Sequence, residues 1–218
     1  MNMTAHRVLA LIKSTEDRLQ TLLREAYFFD MRVGQATQIR GESLDSVERR
    51  ITTFYHGFES LYGNLIELKC ALAKSNAGIR QETDCVHTKV TAGMELTVSE
   101  IIIRNKLLSY RQQFLERIEN QYKAQISEID DKNEEVTARC ERFLMNLSNN
   151  DKSKLSPEEV RMHTDSFMMN NSVKLFDPLH LAEKLPKWKE ELEQLRVEYD
   201  AALSEENALT VIEVKCAG

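Results

Sequence analysis

"VERRITTFYHGFESLYGNLIELKCAL", Val47 to Leu72, decides how the rest of the chain is read. Its apolar residues Val47, Ile51, Phe54, Phe58, Leu61, Leu65, Leu68 and Leu72 alternate steps of four and three for nearly four heptads. That spacing lines one stripe of a helix with apolar side chains and turns the stripe towards a partner. Only 7 Gly and 3 Pro occur among 218 residues, so the chain has few places to turn and must run in long elements. A mainly α fold follows.

The same count places the other helices. Leu115, Ile118, Tyr122, Ile126, Ile129, Asn133, Val136, Cys140, Phe143 and Leu147 form a second seam, with a stutter between Tyr122 and Ile126. Thr97 followed by Glu100 is a capping-box pattern that starts this helix at Val98, and about 50 residues at 1.5 Å each make it roughly 75 Å long. Shorter seams run Val8, Ile12, Thr15, Leu19, Leu22, Ala26 and Leu185, Trp188, Leu192, Leu195, Tyr199, Ala202. Ser156, Pro157 and Glu159 supply the N-cap, N1 proline and N3 acid of one more helix. The prediction is a single elongated domain, 1–218, of long antiparallel coiled-coil-like helices in a bundle, over 5–27, 44–75, 98–148, 156–169 and 184–205.

Strand candidates are short. Thr88–Thr91 and Glu95–Thr97 flank Ala92, Gly93 and Met94, which predicts a hairpin over 87–97. "TVIEV" alternates and predicts a C-terminal strand over 209–215, paired with the hairpin in a small sheet at one end of the bundle. "FFDMRVGQ", Phe28–Gln35, is a further strand candidate, and "VKLFDPL" must leave the helix before Pro178.

Composition excludes several functions. With 35 acidic against 29 basic side chains and no clustered basic run, a nucleic-acid backbone is not the expected partner, although a local basic pocket stays open. No basic start joins an apolar run of signal-peptide length, and no stretch of about 18 apolar residues is present, so no membrane partner is expected and the compartment is cytosolic. Cys70, Cys85, Cys140 and Cys216 are widely separated, which reads as free thiols. His6, His56, His87, His163 and His180 include no pair at metal-ligand spacing. Cys85 and His87 would share a strand face, but no third group completes a nucleophilic site. Phosphate loops, nucleophile elbows and dinucleotide fingerprints are absent from the sequence. The expectation is a non-enzymatic protein with no cofactor and no metal.

The connector from Ser75 to Asn105 is the place where donors gather. Ser75, Asn76, Lys89, Thr91, Arg104 and Asn105 would converge if the hairpin folds the second long helix back beside the third, and such a donor set suits a small anion or a nucleobase. Arg104 leads the set, because its side chain can lie back towards the helix N-terminus. The competing reading is structural: Ser75 and Asn76 end a helix, Arg104 pairs with an acid and Asn105 faces water. Asn133 is polar at a seam position, which predicts a role in oligomer register and a gain in stability on replacement by Leu. A seam longer than the other helices can cover predicts a homo-oligomer. Met162, Met168 and Met169 read either as an adaptable partner surface or as packing of the short helix.

The stretches "LAKSNAGI" (Leu72–Ile79), "KVTAGMELTVSEIIIRNKLL" (Lys89–Leu108), "KLFDPLHLAEKL" (Lys174–Leu185) and "YDAALSEENALTVIEV" (Tyr199–Val214) resemble, in this order, a family of small, mostly uncharacterised helical proteins encoded by tailed bacteriophages. The resemblance implies a phage origin more strongly than an activity, and with no signal-peptide or membrane-spanning stretch the expected place is the host cytoplasm. With it, two functions stand side by side. One is an oligomeric binding protein that sequesters a small anionic, nucleotide-like signal of host antiviral defence. The other is a protein-interaction module, either a virion or assembly component or an inhibitor of a host protein.

Overall fold

The computed structural model describes residues 3–76, 87–91, 94–148 and 154–209. In chain order they form α1 (Ala5–Glu25), β1 (Asp30–Val33), β2 (Gln38–Ile39), β3 (Glu42–Ser43), α2 (Leu44–Asn76), β4 (His87–Thr91), β5 (Met94–Thr97), α3 (Val98–Leu147), α4 (Pro157–Asn171), β6 (Val173–Phe176) and α5 (Leu181–Leu209). The chain is mainly α, with three two-stranded antiparallel sheets, β1–β6, β2–β3 and β4–β5, among the described residues. The strand predicted over 209–215 lies outside the described residues beyond Leu209.

Local chemistry sets the helix starts. The Thr4 carbonyl accepts from the Val8 N–H at 3.1 Å, opening α1. Ser156 accepts from the Glu159 N–H at 3.2 Å while the Glu159 carboxylate takes the Ser156 N–H at 2.8 Å, a complete capping box on α4. Asp177 accepts from the Leu181 and Ala182 N–H groups, both at 2.9 Å, and so begins α5 three residues before the predicted Lys184. Pro186 therefore falls inside the helix, where it has no N–H to donate to the Ala182 carbonyl one turn back.

Contacts divide the chain into two compact units, and α2 and α3 contribute to both. The first comprises Met1–Glu25, His56–Glu116 and Lys184–Gly218. Its core holds Leu19, Phe58, Leu65, Ile101, Phe114 and Leu115, each at most 1% exposed. The Phe58 and Phe114 rings stack with centroids 3.8 Å apart, and the Arg111 guanidinium lies over Phe58 while pairing with Glu59. Along the opening heptads, Phe58 and Leu65 are fully buried while Leu61, Leu68 and Leu72 are half-buried, so one edge of the stripe carries most of the packing.

The second unit comprises Ala26–Tyr55 and Arg117–Glu183. Phe28 and Phe29 are fully buried at its centre, and β1 pairs with β6 in the register Asp30↔Phe176 to Val33↔Val173. Met31 and Val173 pack with Ile129 of α3, backed by Ile126 and Leu175. A two-stranded sheet leaves backbone groups open at both edges, and unpaired groups of this kind are costly when buried. Side chains close them here. The Asn133 amide donates to the Val173 carbonyl at 3.0 Å and accepts the Val173 N–H at 2.8 Å, acting as a one-residue third strand. Asp30 takes the Met31 N–H at 2.8 Å on the other edge. Gln121 does the same for the irregular turn after α1, donating to the Ala26 carbonyl at 2.6 Å and accepting the Phe28 N–H at 2.9 Å.

Asn133 at its seam position is thus engaged within the chain, in holding β6 to α3, a bond that heptad spacing does not anticipate. The end of the α3 seam also differs from the expectation. Leu144 and Ser148 are buried, at 6% and 3%, whereas Phe143 and Leu147 are exposed, because steps of four after Val136 carry the stripe around the helix. Phe143 instead stacks on Phe167 of α4 at 5.3 Å.

Candidate functional site at the α2 to α3 connection

The connector begins where α2 ends at Asn76 and finishes at the β4–β5 hairpin, which runs directly into α3. His87 pairs with Thr97, Thr88 with Leu96 and Lys89 with Glu95, and the register shifts between Lys89 and Thr91. Lys89 and Thr91 are placed by their backbone in β4; residues 77–86 and 92–93, among them Arg80, Gln81 and Thr83, lie outside the described residues.

The first turn of α3 is closed by the chain itself. The Thr97 N–H and hydroxyl both donate to Glu100, at 2.9 and 3.0 Å, and the Glu100 N–H returns a bond to the Thr97 oxygen at 3.2 Å. Lys74, from the last turn of α2, reaches the other Glu100 oxygen at 3.1 Å. A carboxylate thus occupies the position at the helix N-terminus that an external anion would take. Burial pushes the Glu100 carboxyl up, but the Thr97 donors and the Lys74 ammonium outweigh it and leave the pKa below its ordinary value. A lowered folded pKa contributes stability above the unfolded value of about 4.3, and that contribution is lost as the pH falls through the folded value. Thermal melts from pH 7 to pH 3 are therefore expected to show a steeper acid decline in wild type than in Glu100→Gln. Thr97→Ala is expected to cost about 1 kcal/mol throughout, through the lost cap.

Arg104 lies one turn further along α3 and is half-buried. Its guanidinium meets the hydroxyl of Tyr199 on α5, with Tyr62 and Cys70 of α2 close by. No ion pair of Arg104 occurs among the described residues, and its Nε is buried without a hydrogen-bond partner. Burial pushes the Tyr62 phenol up to about 12 and raises Tyr199, with Arg104 partly opposing both, so each phenol keeps its proton and can donate. Burial, with Glu100 adding, also raises the Cys70 thiol, which makes it a poor nucleophile at neutral pH.

Of the six predicted ligand residues, Lys89 and Thr91 are described by their backbone alone and Arg104 stands beside Tyr199; the other three lie as follows. Ser75 edges a groove of about 690 Å³ between α1 and α2, which also carries Arg18, Asn64 and Glu67. Asn76 edges a second groove, of about 400 Å³, between α1, α2 and α3. Asn105 donates to Asp200 at 2.9 Å. The fold brings together Lys74, Thr97 and Glu100 as one cluster and Tyr62, Cys70, Arg104 and Tyr199 as another. Lys74, Tyr62 and Tyr199 come from other helices, and local sequence marks only Tyr199, as a seam residue. Among the described residues, no group of three His, Cys, Asp or Glu side chains could hold a metal ion, and no helix is long and apolar enough to cross a membrane. Comparison with protein-family models, curated proteins and solved structures finds no match to this chain.

Proposed function

We propose that this chain is a non-enzymatic, homo-oligomeric binding protein that holds a small anionic ligand on Arg104. The observation that carries this reading is the Arg104 guanidinium itself, half-buried, without an ion pair among the described residues and with one nitrogen buried and unpartnered. Part-buried cations are normally paired, and a guanidinium with open donors matches a carboxylate or phosphate with two parallel bonds. Tyr62 and Tyr199 add protonated hydroxyls beside it. With the phage origin that the sequence resemblance implies, the ligand class we propose is a nucleotide-derived signal of host defence.

Mass spectrometry of ligand released from protein purified from infected cells tests this directly. A stoichiometric nucleotide that is lost from Arg104→Ala, with helix content and sedimentation unchanged, is the expected result, and loss of a charged partner of this kind typically weakens binding by about 2 to 5 kcal/mol. Unfolding of Arg104→Ala would assign the residue to packing instead. A protein-interaction module is the second reading, and the exposure of Met162 and Met169 on one face of α4, at 59% and 56%, favours it. A host or virion protein that co-purifies with no nucleotide would select that reading.

A further inference from the structure

We propose that the groove between α1, α2 and α3 in the first unit binds a saturated acyl chain that ends in a carboxylate. The groove encloses about 400 Å³, within the range of small-ligand sites. Its floor is Ile12 and Leu107, at 9% and 2% exposure, and Leu72, Ala73 and Ile103 form half-buried walls. Leu9, 53% exposed, makes the lip. Among the described residues no aromatic ring lines this groove, and its polar side chains are Asn76, Lys69 and Lys106. A nucleobase would need a ring face to stack on or fixed donors within the walls, so the lining does not suit one. Aliphatic walls suit methylene groups, each of which adds about fourfold in affinity when it leaves water.

The charge at the mouth selects the head group. Lys69 is paired to Glu16 at 2.7 Å, whereas Lys106 is exposed and makes no ion pair among the described residues. The groove thus presents an apolar slot with, at its edge, one ammonium that has no ion-pair partner among the described residues, which is complementary to a chain carrying a single negative end. Arg104, Tyr62, Cys70 and Tyr199 are not among the residues that line the groove, so the site stands or falls independently of the ligand proposed there.

The test is calorimetric titration of the full chain with sodium laurate below its micelle concentration, beside octanoate and the neutral dodecanol. Saturable binding of one laurate per chain is expected, with octanoate weaker and dodecanol weaker by about tenfold, the worth of one charge-assisted hydrogen bond. Lys106→Glu, at an exposed position, is expected to lose about tenfold for laurate while its melting curve without laurate stays as in wild type. Leu9→Glu, at the exposed lip, is expected to weaken laurate as well. Absence of saturable binding overturns the proposal, as does equal affinity for laurate and dodecanol or undiminished binding by Lys106→Glu. So does an acidic amphipathic peptide that occupies the groove where laurate does not.

Discussion

Asn133→Leu is expected to lower the stability of the protein by about 2 to 4 kcal/mol, the cost of leaving a buried N–H and a buried C=O without partners. A polar residue in the seam of a coiled coil has the opposite signature, since leucine there strengthens packing and loosens register. The two readings differ in sign, so one melting experiment separates them. Geometry decides the expectation: both amide atoms of Asn133 are spent on Val173, at 3.0 and 2.8 Å, and Val173 is 6% exposed. Leucine at 133 has the volume to pack against Met31 and Ile129 but no means of closing the edge of β6. For a chain of this length the loss corresponds to a fall on the order of 10 °C in melting temperature. Asn133→Asp is expected to fall in between, because its carboxylate still accepts the Val173 N–H yet no longer donates to the carbonyl. A melting temperature that rises with leucine would return Asn133 to the seam.

The helices were legible because apolar spacing and caps are local properties. Thr97 with Glu100 and Ser156 with Pro157 and Glu159 are written in consecutive residues, and both form the capping boxes that their spacing predicts. What escaped is non-local. "VKLF" and "DMRV" lie more than 130 residues apart in the sequence, and nothing in either names the other as the partner that β6 and β1 find. "QIRGES" hides a hairpin because its turn places Arg40, not Asn or Gly, at a positive φ of 51°, beside Gly41 at 83°. The Arg40 guanidinium reaches the buried Asp30 carboxylate at 3.6 Å, a contact that no turn propensity reflects. For the candidate site, the donors were readable as types but their partners were not. The Thr97–Glu100 spacing marks Glu100 as a cap, whereas its second bond to Lys74 depends on how α2 and α3 pack. Asn105 reads as a free donor in the sequence, and its bond to Asp200 of α5 arises only from packing.

Gly34→Ala is expected to be the most damaging small substitution, at about 3 to 5 kcal/mol. Gly34 follows β1 at φ +50°, a conformation that side chains other than glycine rarely adopt, and its N–H donates to the Ser172 carbonyl at 2.7 Å. A Cβ built there would lie 2.2 Å from the Asn170 carbonyl oxygen and 2.5 Å from its carbon. These are backbone atoms at the end of α4, so no side-chain rotation relieves the overlap. Either the end of α4 moves away, taking the Gly34 to Ser172 bond and the first pair of the β1–β6 ladder with it, or Gly34 abandons its turn. Gly41 provides the control. It has φ +83°, yet a Cβ there meets nothing within 4 Å, so Gly41→Ala carries only the backbone penalty of about 1 to 2 kcal/mol. Chemical denaturation of the two variants side by side separates steric from conformational cost. Hydrogen exchange should further show protection lost at Arg32 and Lys174, whose strands meet beside Gly34, before it is lost in the α3 turns around Phe114. Equal destabilisation by both alanines would mean that α4 yields freely at Asn170, and that the close approach of Gly34 is not what fixes the end of β1.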